Sequence, residues 1–157
     1  MKAGTDLVLN TGFGASLDTT QTGATGGSCA KFEYSDKGNG KATISGGVIE
    51  GILGNKAGQY TVRARVKANI NSSTQPLFVV SVQDPKSPFK PFPPAKGSTE
   101  TSDKVFSAED IGLAWTWVEV PFYWDGVTPI ELWTGRKGGY EPDLVFWEDI
   151  VEFVALK

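Results

Sequence analysis

An all-β fold, a two-sheet antiparallel sandwich of the jelly-roll class, is what this sequence predicts, and three observations predict it. Apolar side chains recur at every second position in short runs. Those runs are rich in Val, Ile, Phe, Tyr and Trp, and clusters of Gly, Asn, Asp or Pro separate them. Nineteen glycines and nine prolines supply the turns, and two stacked layers let each strand bury one face.

The elements follow in order. "TDLVL" (5–9) opens the chain as a strand, followed by "SCAKFEY" (28–34) and "KATIS" (41–45). "GVIEGIL" (47–53) reads as a further strand with Glu50 turned outward. "QYTVRARVKA" (59–68) alternates most clearly: Tyr60, Val62, Ala64 and Val66 form the apolar phase, and Thr61, Arg63, Arg65 and Lys67 the polar one. "PLFVVSVQD" (76–84) points Phe78, Val80 and Val82 to the core and Ser81 and Gln83 away, although Leu77 and Val79 blur the phase. "KVFSA" (104–108) is a short strand, and the acidic start of "AEDIGLAW" (108–115) suits a helical turn. "WTWVEVPFY" (115–123), "PIELW" (129–133) and "LVFWEDIVEFVAL" (144–156) complete the set. In these, Val118, Val120, Phe122, Ile130 and Leu132 are expected inside, and Trp133, Trp117 and Trp124 are candidates for outside contact. Trp115 suits the end of the sandwich, and the phase of Trp147 is ambiguous.

One connection is out of proportion. Residues 84–103, "DPKSPFKPFPPAKGSTETSD", form a Pro-rich loop longer than the ~12–15 residues usual in a compact domain. Phe89 and Phe92 either pin it to the sandwich or stand as a wall for a ligand. Residues 1–157, this loop included, read as one domain around a single core.

Composition removes several function classes. Without histidine, the Ser-His-Asp and Cys-His nucleophile systems and His-ligated zinc are excluded. A formal net charge of −3 without a basic run argues against nucleic acid, and no apolar stretch approaches the ~18 residues of a membrane span. The chain does not start like a signal peptide, so it is either intracellular or has lost a leader. Cys29 is the lone cysteine, expected as a buried thiol.

Dealing the strands alternately between the sheets puts 47–53, 59–68, 76–84 and 129–133 in one sheet, and 115–123 with the terminal strand in the other. Glu50, Arg63, Arg65, Gln83, Glu131 and Trp133 would then share an outward face. An indole offers a stacking surface to the C–H face of a pyranose, and guanidinium, amide and carboxylate groups bond its hydroxyls. The alternative is a solvated face with cross-strand ion pairs and an incidental indole.

The segments "GGSCAKFEY", "AGQYTVRARVKA", "AWTWVEVPF", "PIELW" and "LVFWEDIVEFVAL", in this order and spacing, resemble the galactose-binding-like jelly rolls of carbohydrate-binding modules. The resemblance spans most of the chain and leaves out the Pro-rich loop. It implies a non-catalytic domain of a larger secreted, extracellular polysaccharide-degrading enzyme whose leader is absent from this chain, with a polysaccharide or oligosaccharide as partner. A sheet-face site would use Arg63, Arg65, Gln83, Glu131 and Trp133, and a loop site Trp124 and Tyr140. The resemblance also implies a structural calcium ion held by Asp149 with carbonyls near Gly27 or Ser28, but "NTGFG" carries Gly14 where a ligand carboxylate is expected.

Two other classes stay open. Retaining glycosidases use carboxyl groups about 5–5.5 Å apart, and a three-residue hairpin loop at "WDG" would set Glu119 opposite Glu131. A protein-binding adhesive domain could use the same exposed Trp and Arg side chains.

Overall fold

The computed structural model describes residues 7–44, 46–87, 92–93, 95–96, 102–137 and 141–157. Ten strands form two five-stranded antiparallel sheets. They are β1 (Val8–Leu9), β2 (Ala15–Asp18), β3 (Cys29–Phe32), β4 (Lys41–Ile44), β5 (Gly58–Ala68), β6 (Pro76–Gln83), β7 (Asp103–Ser107), β8 (Thr116–Trp124), β9 (Glu131–Arg136) and β10 (Phe146–Ala155). Sheet one runs β1-β4-β9-β6-β7 and sheet two β2-β3-β10-β5-β8. Among the described residues, two short α-helices, α1 (Gly46–Ile52) and α2 (Ala108–Ile111), and two single-turn 3-10 helices at Thr11–Phe13 and Thr25–Gly27 accompany the strands.

The core lies between the sheets, and the period-two phases read from the sequence fill it. Val62, Ala64 and Val66 of β5, Val118, Val120 and Phe122 of β8, and Phe78, Val80 and Val82 of β6 are all buried. Aromatic rings link the layers, with Phe78 centred 6.2 Å from Phe32 and 5.7 Å from Phe146. Cys29, the chain's one cysteine, is buried. The Ser107-led turn at α2 is a full capping box: the Asp110 amide donates to the Ser107 hydroxyl (3.1 Å), and the Ser107 amide donates to the Asp110 carboxylate (2.8 Å).

Two expectations about the strands are corrected. First, 47–53 is not a strand. Ile49 and Leu53 are buried and the Leu53 amide donates to the Ile49 carbonyl (2.9 Å), while Val48 and Ile52 face out. A spacing of four satisfies a helical turn as well as a strand, and the intervening glycines would leave a strand's inner face empty. Glu50 therefore lies on α1 and outside any sheet face.

Second, β5 belongs with β8 and β10, not with β6 and β9. The chain crosses between the layers on either side of this strand: β4 and β6 lie in sheet one and β5 in sheet two, so the consecutive strands 59–68 and 76–84 do not share a layer.

Residues 125–130 do not make the hairpin of the enzyme alternative, and 115–123 and 129–133 lie in different sheets, as the strand deal expects. The Asp125 carboxylate accepts from the amides of Val127 (2.9 Å) and Thr128 (2.7 Å) and from the Thr128 hydroxyl, which turns the chain across the end of the sandwich into the other sheet. Gly126 has φ 77° and sits so close to Ala57 that a Cβ would meet its amide nitrogen at 2.7 Å. Glu119 and Glu131 consequently sit on different sheets, and the strand pairing that would make them a catalytic carboxylate pair does not exist.

The Pro-rich loop leaves β6 and is pinned across the end of both layers. Phe92 is buried with its ring centre 6.3 Å from Phe122, and its amide donates to the Ser102 hydroxyl (2.6 Å). The Pro93 carbonyl accepts from the Tyr123 amide of β8 (2.9 Å), and the Lys96 amide donates to the Gln59 side chain (2.6 Å). Of the two phenylalanines expected to act here, Phe92 pins the loop; Phe89 lies outside the described residues.

Candidate functional site

The outward face of sheet one gathers three of the residues singled out from sequence. Gln83 of β6 and Glu131 of β9 are directly opposite in register, and the Gln83 amide donates to the Glu131 carboxylate (2.7 Å). In the next outward row Trp133 faces Ser81, which in turn faces Asp103 of β7, and beyond it Gly135 lies between Lys41 and Val79.

Shape follows from those rows. Ser81 and Gly135 are small residues at the centre, while Trp133, Gln83, Asp103 and Lys41 stand around them, enclosing a recess of about 190 Å³ that Asn39 and Lys137 help to rim. No larger residue fits at Gly135, whose Cβ would meet the Gly40 carbonyl oxygen at 2.3 Å and whose φ is 141°. Trp133 is half-buried, with its ring open enough that the Lys41 ammonium lies over it, 4.7 Å from a ring centre. The recess thus offers a flat apolar ring beside amide, carboxylate, hydroxyl and ammonium groups.

Its floor is braced from below. Arg136, at the end of β9, is buried, and its guanidinium donates to the carbonyls of Leu144 and Glu141 (2.5 Å to the latter), tying the 141–144 segment to the strand. Burial lowers its pKa, an effect that the charge of Glu141 and the nearby Tyr34 oppose. Thr134, the inward neighbour of Trp133, donates its hydroxyl across the core to Glu148 of β10 (2.8 Å). Glu148 is fully buried, and burial raises its carboxyl to about 7 against that hydrogen bond. Neither brace was singled out from sequence, although an acid in the core phase of the terminal strand was a readable signal for Glu148.

Arg63 and Arg65 are not part of this face. They lie on the outward face of sheet two, each with a partner there. Arg63 pairs with Glu152 of β10 (2.5 Å) and stacks on Trp117, 4.5 Å from its ring centre. Arg65 pairs with the buried Asp149 (2.6 Å), donates to the Gly23 carbonyl (3.0 Å), and lies 5.1 Å from the Trp115 ring centre.

Trp124 is also removed from any site: it is 1% exposed, and its indole N–H donates to the Thr128 carbonyl (2.8 Å). Tyr140 lies outside the described residues. Trp115 donates to the Thr22 carbonyl (3.0 Å) and Trp147 to Asp18 (2.8 Å), so both hold the segment after β2 against sheet two. Burial opposes ionisation of Asp18, but bonds from Thr20, Trp147 and Gln21 outweigh it and keep the carboxyl well below its usual range.

The residues around Asp149 do not fit calcium. One carboxylate oxygen accepts from the Thr25 amide (2.9 Å), and the other from the Thr25 hydroxyl (2.8 Å) and the Arg65 guanidinium. The ion would need about six to eight oxygens. Among the described residues no three His, Cys, Asp or Glu side chains converge, and a fixed guanidinium already brings positive charge to the carboxylate.

No protein-family model matches the chain, and neither does any curated protein sequence. Solved structures do match in shape. One is described as a family 16 carbohydrate-binding module, with 14% identity, TM-score 0.55, and coverage of 91% of this chain and 86% of that one. Another is the CBM22-1 xylan-binding domain from Paenibacillus barcinonensis Xyn10C, with 11% identity, TM-score 0.58, and coverage of 100% and 90%. A third, a CBM4 structure, has 17% identity, TM-score 0.51, and coverage of 96% and 94%. At such identities the likeness establishes the fold, a two-sheet β-sandwich that these modules share.

Proposed function

We propose that this chain is a non-catalytic carbohydrate-binding module that holds a polysaccharide on the outward face of sheet one. The observation that carries the reading is the recess itself, where the half-exposed Trp133 ring stands beside Ser81 with Gln83, Asp103 and Lys41 around it and Glu131 bonded to Gln83. A pyranose stacks its C–H face on the ring, displacing the Lys41 ammonium, and its hydroxyls meet donors and acceptors already fixed by strand register. The whole-chain likeness to three carbohydrate-binding modules supports the same reading, as does the separation of Glu119 from Glu131, which removes the carboxylate pair considered for catalysis.

In this reading the protein works outside the cell, as one part of a larger secreted polysaccharide-degrading enzyme. Electrophoresis in native gels containing xylan, mixed-linkage β-glucan, hydroxyethylcellulose or galactomannan tests it. Xylan belongs in the set because one structural neighbour is a xylan-binding domain. At least one polymer is expected to retard the protein with no release of reducing ends. Trp133→Ala should abolish the retardation while moving the melting temperature by no more than about 2 °C, as for a surface substitution. Retardation that survives this change, or sugar release, overturns the reading.

A further inference from the structure

We propose that the groove between β7 and β8 is a second saccharide-binding site, built on Trp117 and separate from the Trp133 recess. β7 and β8 are the edge strands of the two sheets on the same flank of the sandwich, and the space between them is an open groove of about 580 Å³. Lys104 and Phe106 line it from β7, Asp110 from α2, and Trp117, Glu119 and Pro121 from β8.

Trp117 is 37% exposed, and it is held in place. The Arg63 guanidinium covers one ring face at 4.5 Å, and Glu152 fixes that guanidinium through both its Nε (2.7 Å) and a terminal nitrogen (2.5 Å). A large ring braced from behind, with its remaining surface on a groove, is a pre-ordered shelf: little side-chain freedom is left to lose when something stacks on it.

The lining decides the class of ligand. Both signs of charge are present, in Lys104 against Glu119 and Asp110, which favours neither a polyanion nor a polycation. The other occupant an edge groove invites is an added peptide strand, and here the C-terminal part of the β8 edge is blocked. The Tyr123 amide points away from β5 and is taken by the Pro93 carbonyl, and Pro121, two residues earlier on the same side, has no N–H to give. What remains is an indole shelf flanked by ammonium, carboxylate and carbonyl groups, which suits a neutral sugar chain.

The five indole N–H signals in a ¹⁵N-edited proton NMR spectrum, assigned by single Trp→Phe variants, make each ring a separate reporter. Xylohexaose, cellohexaose, mannohexaose and laminarihexaose are the probes. At least one is expected to move the Trp117 signal saturably in both the wild type and Trp133→Ala, with the Trp124 signal unchanged as a check on folding. Trp117→Ala should weaken that binding phase about tenfold or more. A Trp117 signal unmoved by all four sugars overturns the proposal even if Trp133 responds; so does a Trp117 response lost in Trp133→Ala, which would make it an echo of the recess. Response at Trp117 without response at Trp133 would uphold the groove while sinking the sheet-face reading.

Discussion

Trp124 and Trp133 share a side chain and differ in everything that decides its use. Trp124 continues the inward phase of Val118, Val120 and Phe122 for one more step, plugs the end of the sandwich, and has its N–H satisfied. Replacing it with alanine should cost about 3–5 kcal/mol in urea unfolding, the range for a large buried aromatic. Glu148 makes a different residue-scale prediction. Its folded carboxyl titrates near 7 against an ordinary value of 4.5, so the folded state holds the proton more tightly than the unfolded one. The associated stability is fully present below about 4.5 and is lost as pH rises through 7. Unfolding free energy measured from pH 4.5 to 8 should therefore fall by a few kcal/mol, and Glu148→Gln should flatten the fall.

At the scale of elements, the Phe92 ring is one of the contacts that hold the Pro-rich loop. Phe92→Ala should destabilise the protein by about 3 kcal/mol and release the Pro93 contact to β8, visible as faster hydrogen exchange at the Tyr123 amide. The strands were legible because their alternation is strict: the inward sets of β5 and β8 were readable residue by residue. α1 was not, because Ile49 and Leu53 stand four apart, a spacing common to one helical turn and two strand repeats. β2 was missed since its four residues, Ala15–Asp18, offer one buried side chain and no aromatic signal. Placing β5 in the same layer as the next strand, β6, is what drew Arg63 and Arg65 into the site, whereas the chain crosses between the sheets from β5 to β6. Gln83, Glu131 and Trp133 survived because their own strands are true neighbours. Lys41 and Asp103 could not be found from sequence, since only cross-strand register brings them to Trp133.

Across the whole molecule, Asp149 joins the terminal strand to the segment before β3 with no metal required. Excess chelator should leave the melting temperature unchanged, whereas Arg65→Met, by stranding a buried carboxylate, should cost about 3–5 kcal/mol in chemical unfolding. Adding Asp149→Asn should recover part of that loss.

If both proposed saccharide sites are occupied, β7 bears on how long a polymer is held. It hands Asp103 to the recess and Lys104 and Phe106 to the groove, so the two lie on either side of a single edge strand. An oligomer too short to round that edge engages one at a time, while a longer chain, once caught, meets the other at a high effective concentration. Residence time should therefore lengthen abruptly beyond a threshold number of sugar rings, without any change in the first encounter.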